Sequence, residues 1–119
     1  MIEKTLTEKI KQECMNVLSS EKIFNNCDVE FLEKYKKLYQ IKPVLLVLDS
    51  DELVETAKIF LKNNLNITSA SKQGYMHRNT LIYRIEKIKR LIGLDIRCFD
   101  EAVVFQNLVM FYEMLKNVK

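Results

Sequence analysis

The stretch "HRNTLIYRIEKIKRLIGLDIR", residues 77–97, decides the fold of this chain. Within it, apolar side chains recur at the spacing of three and four residues that marks one face of a helix: Leu81, Ile85, Ile88 and Ile92. We therefore predict a helix that begins near Arg78, with His77 or Asn79 near its N-cap, and that turns this apolar stripe towards a core.

The face opposite the stripe is polar and mostly cationic. Asn79, Tyr83, Glu86 and Arg90 lie on it, and Thr80, Arg84 and Lys87 lie on one flank. Amides, hydroxyls, phenols and cations are the groups that read base edges and bind phosphates in a DNA major groove. A merely solvated face would be expected to mix Glu and Lys more evenly. The pattern favours nucleic acid as the partner of this helix.

The charge of the chain is concentrated around this helix. Residues 66–97 contain seven Lys and Arg residues but only two carboxylates, although the whole chain has a formal net charge of only +3. A local positive field suits a polyanionic partner. By itself such a run is equally typical of a solvated helix.

Composition limits the fold and the chemistry. The 119 residues suffice for one compact domain, and two glycines and one proline leave little material for hairpins, which favours an all-α fold. No apolar run approaches the roughly 20 residues that span a bilayer. Three cysteines without a secretory signal predict a cytoplasmic protein with reduced thiols, in which Cys98 is packed or shielded from solvent.

No catalytic or metal-binding set is apparent. The single histidine, His77, has no cysteine, serine or carboxylate at a spacing that suggests a triad or a metal site. We interpret it as a residue at the helix start or facing a phosphate. The sequence therefore predicts neither an enzyme nor a cofactor.

The residues upstream predict more helices. Thr5 with Glu8 forms a capping box for a first helix and Asp28 caps a second, whereas "VLLVL" at 44–48 is compatible with a helix or a strand, of which we favour the helix. A further helix starts at Asp49 or Ser50 and stops at the Asn63-Asn64 pair.

A short helix then completes the layout of a helix-turn-helix. Asn66 is its cap candidate and Gly74 ends it. The small residues Ala70 and Ser71 would let the next helix cross closely.

Residues 52–97 resemble the C-terminal helix-turn-helix of the PucR/CdaR-type transcription regulators. The resemblance is carried by "ELVETAKIFLKNNLN" and by "HRNTLIYRIEKIKRLIGLDIR". It implies a Fis-like helix-turn-helix whose recognition helix spans about 78–91. The positions that match the DNA-reading segment are Arg78, Asn79, Thr80, Tyr83 and Arg84.

Two residues depart from the family pattern. Ser71 and Gly74 stand where such sequences usually have Ala and Leu. Gly74 lacks the packing side chain and should shorten or loosen the first motif helix. The cost in stability is roughly 1 kcal/mol or more. We expect Tyr75 and Met76 to fill the gap.

These observations predict a two-part organisation and a function. Residues 1–49 would form a helical extension for packing, dimer or partner contacts, and residues 50–119 the helix-turn-helix domain. The function is sequence-specific binding of double-stranded DNA in transcription regulation, with His77, Lys87, Lys89 and Arg90 joining the DNA contacts. The alternative is a helical module that kept the fold but binds another regulator.

Two protein contacts are also expected. The helix predicted at 100–117 is apolar over more than one face, so part of it would form a homodimer contact. The N-terminal helices could receive a partner protein.

Overall fold

The computed structural model describes residues 2–19 and 29–117, and all regular structure within them is helical, which confirms the all-α prediction. No helix in these ranges is long and apolar enough to cross a membrane. The helices are α1 (Ile2–Leu18), α2 (Val29–Tyr39), α3 (Lys42–Leu48), α4 (Asp51–Lys62), α5 (Ile67–Gln73), α6 (Arg78–Ile92) and α7 (Phe99–Asn117).

Local sequence signals account for most helix ends. Pro43 occupies the first turn of α3, where its missing N–H is no loss, and the ambiguous "VLLVL" run is helical. The Ser50 hydroxyl accepts a hydrogen bond from the Leu53 N–H at 3.2 Å and caps α4, as predicted. The capping box predicted at Thr5 does not start α1, because the helix already begins at Ile2. The cap predicted at Asp28 lies outside the described residues.

Helix α6 is the centre of the domain and packs against α1, α3, α4 and α5. The apolar stripe predicted for it is completely buried, which confirms the orientation read from its spacing: Leu81, Ile85, Ile88 and Ile92. The chain beyond α6 adds Leu94 and Ile96 to the same core. The position of α6 is therefore fixed from several sides.

The N-terminal helices share this core rather than forming one of their own. Ile10 and Cys14 of α1 and Leu38 of α2 are buried in the same cluster as the α6 stripe. Helix α1 also covers the end of α6 at Gly93, whose φ of 81° is the left-handed conformation of a helix stop. A Cβ at that position would lie 2.7 Å from the Lys11 Cβ and 2.8 Å from the Thr7 carbonyl oxygen.

Helix α7 uses most of its apolar surface within the chain. Its buried side chains are Ala102, Val104, Phe105, Leu108, Val109 and Tyr112. The Tyr35 hydroxyl donates to the Leu108 carbonyl oxygen at 3.2 Å, which ties α2 to α7. Met110 and Met114, one turn apart, remain 44% and 55% exposed.

Candidate nucleic-acid interface

Helix α5 is short and packs closely on its neighbours. The Asn66 side chain accepts a hydrogen bond from the Ser69 N–H at 2.9 Å, which confirms it as the N-cap. Ala70 is fully buried, and the Ser71 hydroxyl turns back to the Ile67 carbonyl oxygen at 2.8 Å. With no large side chain at Ala70 or Ser71, α5 can lie against α4 and α6.

The turn between α5 and α6 differs from the expectation in one respect. Gly74 follows the last residue of α5, as predicted, but its φ of −86° is ordinary, and the left-handed residue is Tyr75, with φ 50°. The Met76 N–H closes the turn by donating to the Ser71 carbonyl oxygen at 3.0 Å. Met76 packs against the core beside Gly74, whereas Tyr75 is 97% exposed. Met76 therefore fills part of the gap, and the expectation that Tyr75 does so is wrong.

His77 forms the N-cap of α6. Its backbone is extended, and its Nδ1 accepts a hydrogen bond from the Asn79 N–H at 3.0 Å. Because Nδ1 is used as an acceptor, the ring nitrogen left to donate is Nε2, on an exposed side chain. His77 thus lies at the helix start, one of the two positions that the sequence suggested.

Between Arg78 and Lys87, α6 presents polar side chains to solvent. Asn79 and Arg78 are exposed, Tyr83 is 56% exposed, and Thr80 and Lys87 are half-buried on the flank. The Arg78 Nη1 makes a long contact, 3.5 Å, with the Thr68 hydroxyl. Neither Arg78 nor Lys87 has an ion-pair partner within residues 2–19 and 29–117. These charges are available to an anionic partner.

Arg84 is held differently from the other predicted DNA-reading residues. Its side chain is 22% exposed, and Nη1 donates to the Thr56 hydroxyl of α4 at 3.1 Å. Nη2 lies 3.1 Å from the Glu52 carboxylate, also on α4. Thr56 is 1% exposed, and Arg84 is the partner that satisfies its hydroxyl. The guanidinium therefore joins α6 to α4.

Two cations near the other end of α6, Lys89 and Arg97, are paired within the chain. Arg97 lies 2.7 Å from Glu86 and 2.8 Å from Asp95, and the Lys89 ammonium lies 3.7 Å from Asp95. Hydrogen bonding to Asp95 and Glu86 raises the pKa of Arg97. Partial burial raises the pKa of Asp95, but the hydrogen bonds and charge of Arg97 outweigh it, so that this pKa lies below its ordinary value. Arg90 is exposed beyond these pairs.

Other candidate chemistry is sparse. Cys14 is buried, but Cys98 is exposed, so the prediction of a shielded thiol there is wrong, and Cys27 lies outside the described residues. In the part of the chain that the structure describes, no three His, Cys, Asp or Glu side chains converge to hold a metal ion.

Sequence reasoning missed the part that α4 plays in this surface. A signal for Thr56 was present, because a lone polar residue among the apolar positions Leu53, Ala57 and Phe60 requires a buried partner. The sequence did not show which side chain would supply it.

Comparison with known proteins agrees with this geometry. Residues 53–107 match the PucR C-terminal helix-turn-helix domain. The chain is 38% identical over 72 residues to the uncharacterized protein YxkF of Bacillus subtilis (strain 168), which covers 60% of the chain and 24% of that protein.

Two further relatives come from the same organism. The proline-responsive transcriptional activator PutR is 36% identical over 59% of the chain and 17% of its own length. The purine catabolism regulatory protein is 33% identical over 56% of the chain and 13% of its own length. The chain thus matches a quarter or less of each of these three proteins. No solved structure matches it.

Proposed function

We propose that the protein is a sequence-specific DNA-binding transcription regulator, because residues 53–107 match the PucR C-terminal helix-turn-helix domain. The observation that carries this proposal is the polar side of α6, where Asn79 and Tyr83 face solvent from a helix whose other face is fully buried. The cations Arg78 and Lys87 beside them have no ion-pair partner in the part of the chain that the structure describes. Two relatives named as an activator and a regulatory protein support the assignment. This function would place the protein in the cytoplasm.

The geometry suggests a division of roles along α6. The exposed Asn79 amide can pair bidentately with an adenine edge, and the Tyr83 side chain is one turn further along the same face. Arg78, Thr80 and Lys87 flank them and suit contacts with phosphates, as does the Nε2 of His77. Lys89 and Arg90 would approach the backbone only at the far end of the helix.

Arg84 is better placed to orient the recognition helix than to read a base. To reach guanine, its guanidinium would have to leave both Glu52 and the buried Thr56 hydroxyl. Leaving that hydroxyl unpaired costs roughly 1 to 3 kcal/mol, which is as much as one good base contact contributes. We therefore assign Arg84 to the α4–α6 contact in the bound protein.

A homodimer through α7 would extend the interface along the DNA. Met110 and Met114 form an exposed apolar strip. Met110 also lines a groove of about 420 Å³ between α4 and α7, which is crossed by the pair of Lys58 and Glu113 at 2.8 Å. A symmetric contact here would present two recognition helices to major grooves about 34 Å apart. Sedimentation at tens of micromolar tests the dimer, and a monomer mass would contradict it.

The DNA-binding function is tested by selecting duplexes from a random pool and measuring their affinity at two salt concentrations. A regulator enriches a defined sequence, and its affinity falls as salt rises because bound cations release counterions from the DNA. A folded protein that binds no duplex at low salt would overturn the proposal and favour a protein-binding role for this surface.

A further inference from the structure

Two residues flanking α5 combine a large side chain with a left-handed backbone. Leu65 has φ 60° and precedes α5, and Tyr75 has φ 50° and follows it. This conformation brings Cβ close to the carbonyl oxygen, so glycine is the usual residue there. Each position therefore carries a conformational cost that something else must offset.

The fold offsets this cost at Leu65 but not at Tyr75. Leu65 is partly buried and packs against the core, so its side chain contributes to stability. The Tyr75 residue is 97% exposed, and its hydroxyl makes no hydrogen bond within the described residues. A glycine is present in the same turn at Gly74, where φ is −86° and the conformation does not require one. Folding alone would be better served by glycine at position 75.

The surroundings of Tyr75 indicate what its side chain is for. It lies two residues before the N-cap His77, and only Gly74 separates it from the last turn of α5, which carries the exposed Lys72. Arg78 begins the recognition helix on its other side and is exposed as well. Neither cation has an ion-pair partner within residues 2–19 and 29–117. The exposed phenol thus lies three residues from each of two exposed cations, a setting suited to an anionic partner.

We propose that Tyr75 contacts the sugar-phosphate backbone of DNA beside the groove that the first half of α6 enters. The inference rests on the proposed function and adds a contact to it. A phenol can donate a hydrogen bond to a phosphate oxygen while its ring packs on the adjacent sugar. Backbone contacts position a protein without reading sequence, so Tyr75 contributes similarly on all duplexes.

Tyr75→Gly separates the contact from the fold, since glycine adopts this backbone freely. We expect its Tm to rise by about 2 to 5 °C. Its affinity should fall by about threefold to tenfold, and by the same factor on a selected and on a scrambled duplex. The salt slope should stay unchanged because no charge is removed. Tyr75→Phe, which lacks only the hydroxyl, should lose part of this affinity.

Leu46→Ala is the matched control, because Leu46 is another exposed apolar residue, 52% exposed on α3. It should leave the affinity for both duplexes within twofold of that of the unmodified protein. An affinity of Tyr75→Gly within twofold of the unmodified protein would overturn the contact, and so would a loss confined to the selected duplex.

Asn79→Ala distinguishes this failure from failure of the proposed function. If the unmodified protein binds DNA and Asn79→Ala weakens it while Tyr75→Gly does not, only the Tyr75 contact is wrong. If the unmodified protein binds no duplex, both proposals are wrong.

Discussion

The two ends of α6 have similar charges but opposite surroundings. At the first end, Arg78 and Asn79 are exposed beside the turn from α5. At the last end, α1 covers Gly93, and Lys89 and Arg97 are paired with nearby carboxylates. Both ends contribute to the positive field of residues 66–97, but Lys89 and Arg97 near the last end are already paired, whereas Arg78 at the first end has no ion-pair partner within residues 2–19 and 29–117. Charge density along a sequence therefore overstates the surface that is available to DNA.

The last end of α6, which α1 covers, is called the covered end. Substitutions there should destabilise the fold more than substitutions at the first end. We expect Gly93→Ala to destabilise the protein by roughly 2 to 4 kcal/mol, since the new Cβ needs a left-handed backbone and meets Lys11 and Thr7 below 3 Å. The free energy of unfolding in urea measures this.

Gly74→Ala is the matched control for Gly93→Ala. Its φ is ordinary and the nearest atom to a new Cβ is the Ala70 carbonyl oxygen at 3.2 Å, so the change should stay within about 1 kcal/mol. If Gly93→Ala and Gly74→Ala lowered the free energy of unfolding equally, the conclusion that the covered end matters most for stability would be contradicted.

Arg84 lies between the two ends and should affect stability more than Arg78. Arg84→Ala leaves the Thr56 hydroxyl buried without a partner, so we expect a loss of roughly 1 to 3 kcal/mol in the free energy of unfolding. In the background of Thr56→Val the same substitution should cost less, because no hydroxyl is left unpaired. Arg78→Ala is the matched exposed control and should leave stability unchanged. Additive losses for Arg84 and Thr56 would exclude their coupling.

Of these residues, Asp95 should contribute least to the stability of the fold, and its contribution should depend on pH. Its lowered pKa means that the stabilisation is present above the ordinary value of 3.8 and is lost as the pH falls through the lower folded value. Asp95→Asn should therefore cost up to about 1 kcal/mol at neutral pH and almost nothing once the pH lies below the folded pKa of Asp95. Thermal unfolding at several pH values measures the difference, and a loss that persists in acid would contradict the ion-pair origin.

Asp95→Asn also tests whether the covered end faces DNA. It weakens the pairing of Lys89 and Arg97, but on our account these cations lie away from the main contact. The affinity for a selected duplex should therefore change by less than about twofold.

The spacing and type of residues predicted those features that depend on a single helix. The buried stripe of Leu81 to Ile92 and the caps at Ser50 and Asn66 follow from spacing and residue type, and the structure confirms them. The direction of Arg84 could not be read in this way, because a long side chain on a helix flank can turn to solvent or to a neighbour. Its partner Thr56 lies 28 residues earlier.

The turn shows a second limit of sequence reasoning. Gly74 correctly marked the end of α5, but a glycine does not reveal which of two neighbouring residues takes the left-handed conformation. That choice depends on the Met76 N–H, which bonds to the Ser71 carbonyl oxygen and leaves Tyr75 at the reversal. Tyr75 consequently points to solvent and was not recognised as a surface residue.

The central claim, that the first end of α6 reads DNA, is tested most directly by comparing Asn79→Ala with Lys87→Ala. Fluorescence anisotropy on a selected and a scrambled duplex, over a series of salt concentrations, measures both affinity and its salt dependence. Asn79→Ala should lose roughly 1 to 3 kcal/mol on the selected duplex alone. Lys87→Ala should weaken both duplexes similarly and flatten the salt slope by about one. If Asn79→Ala, folded as judged by its unfolding curve, kept the full preference for the selected duplex, the assignment of this end as the reading surface would be wrong.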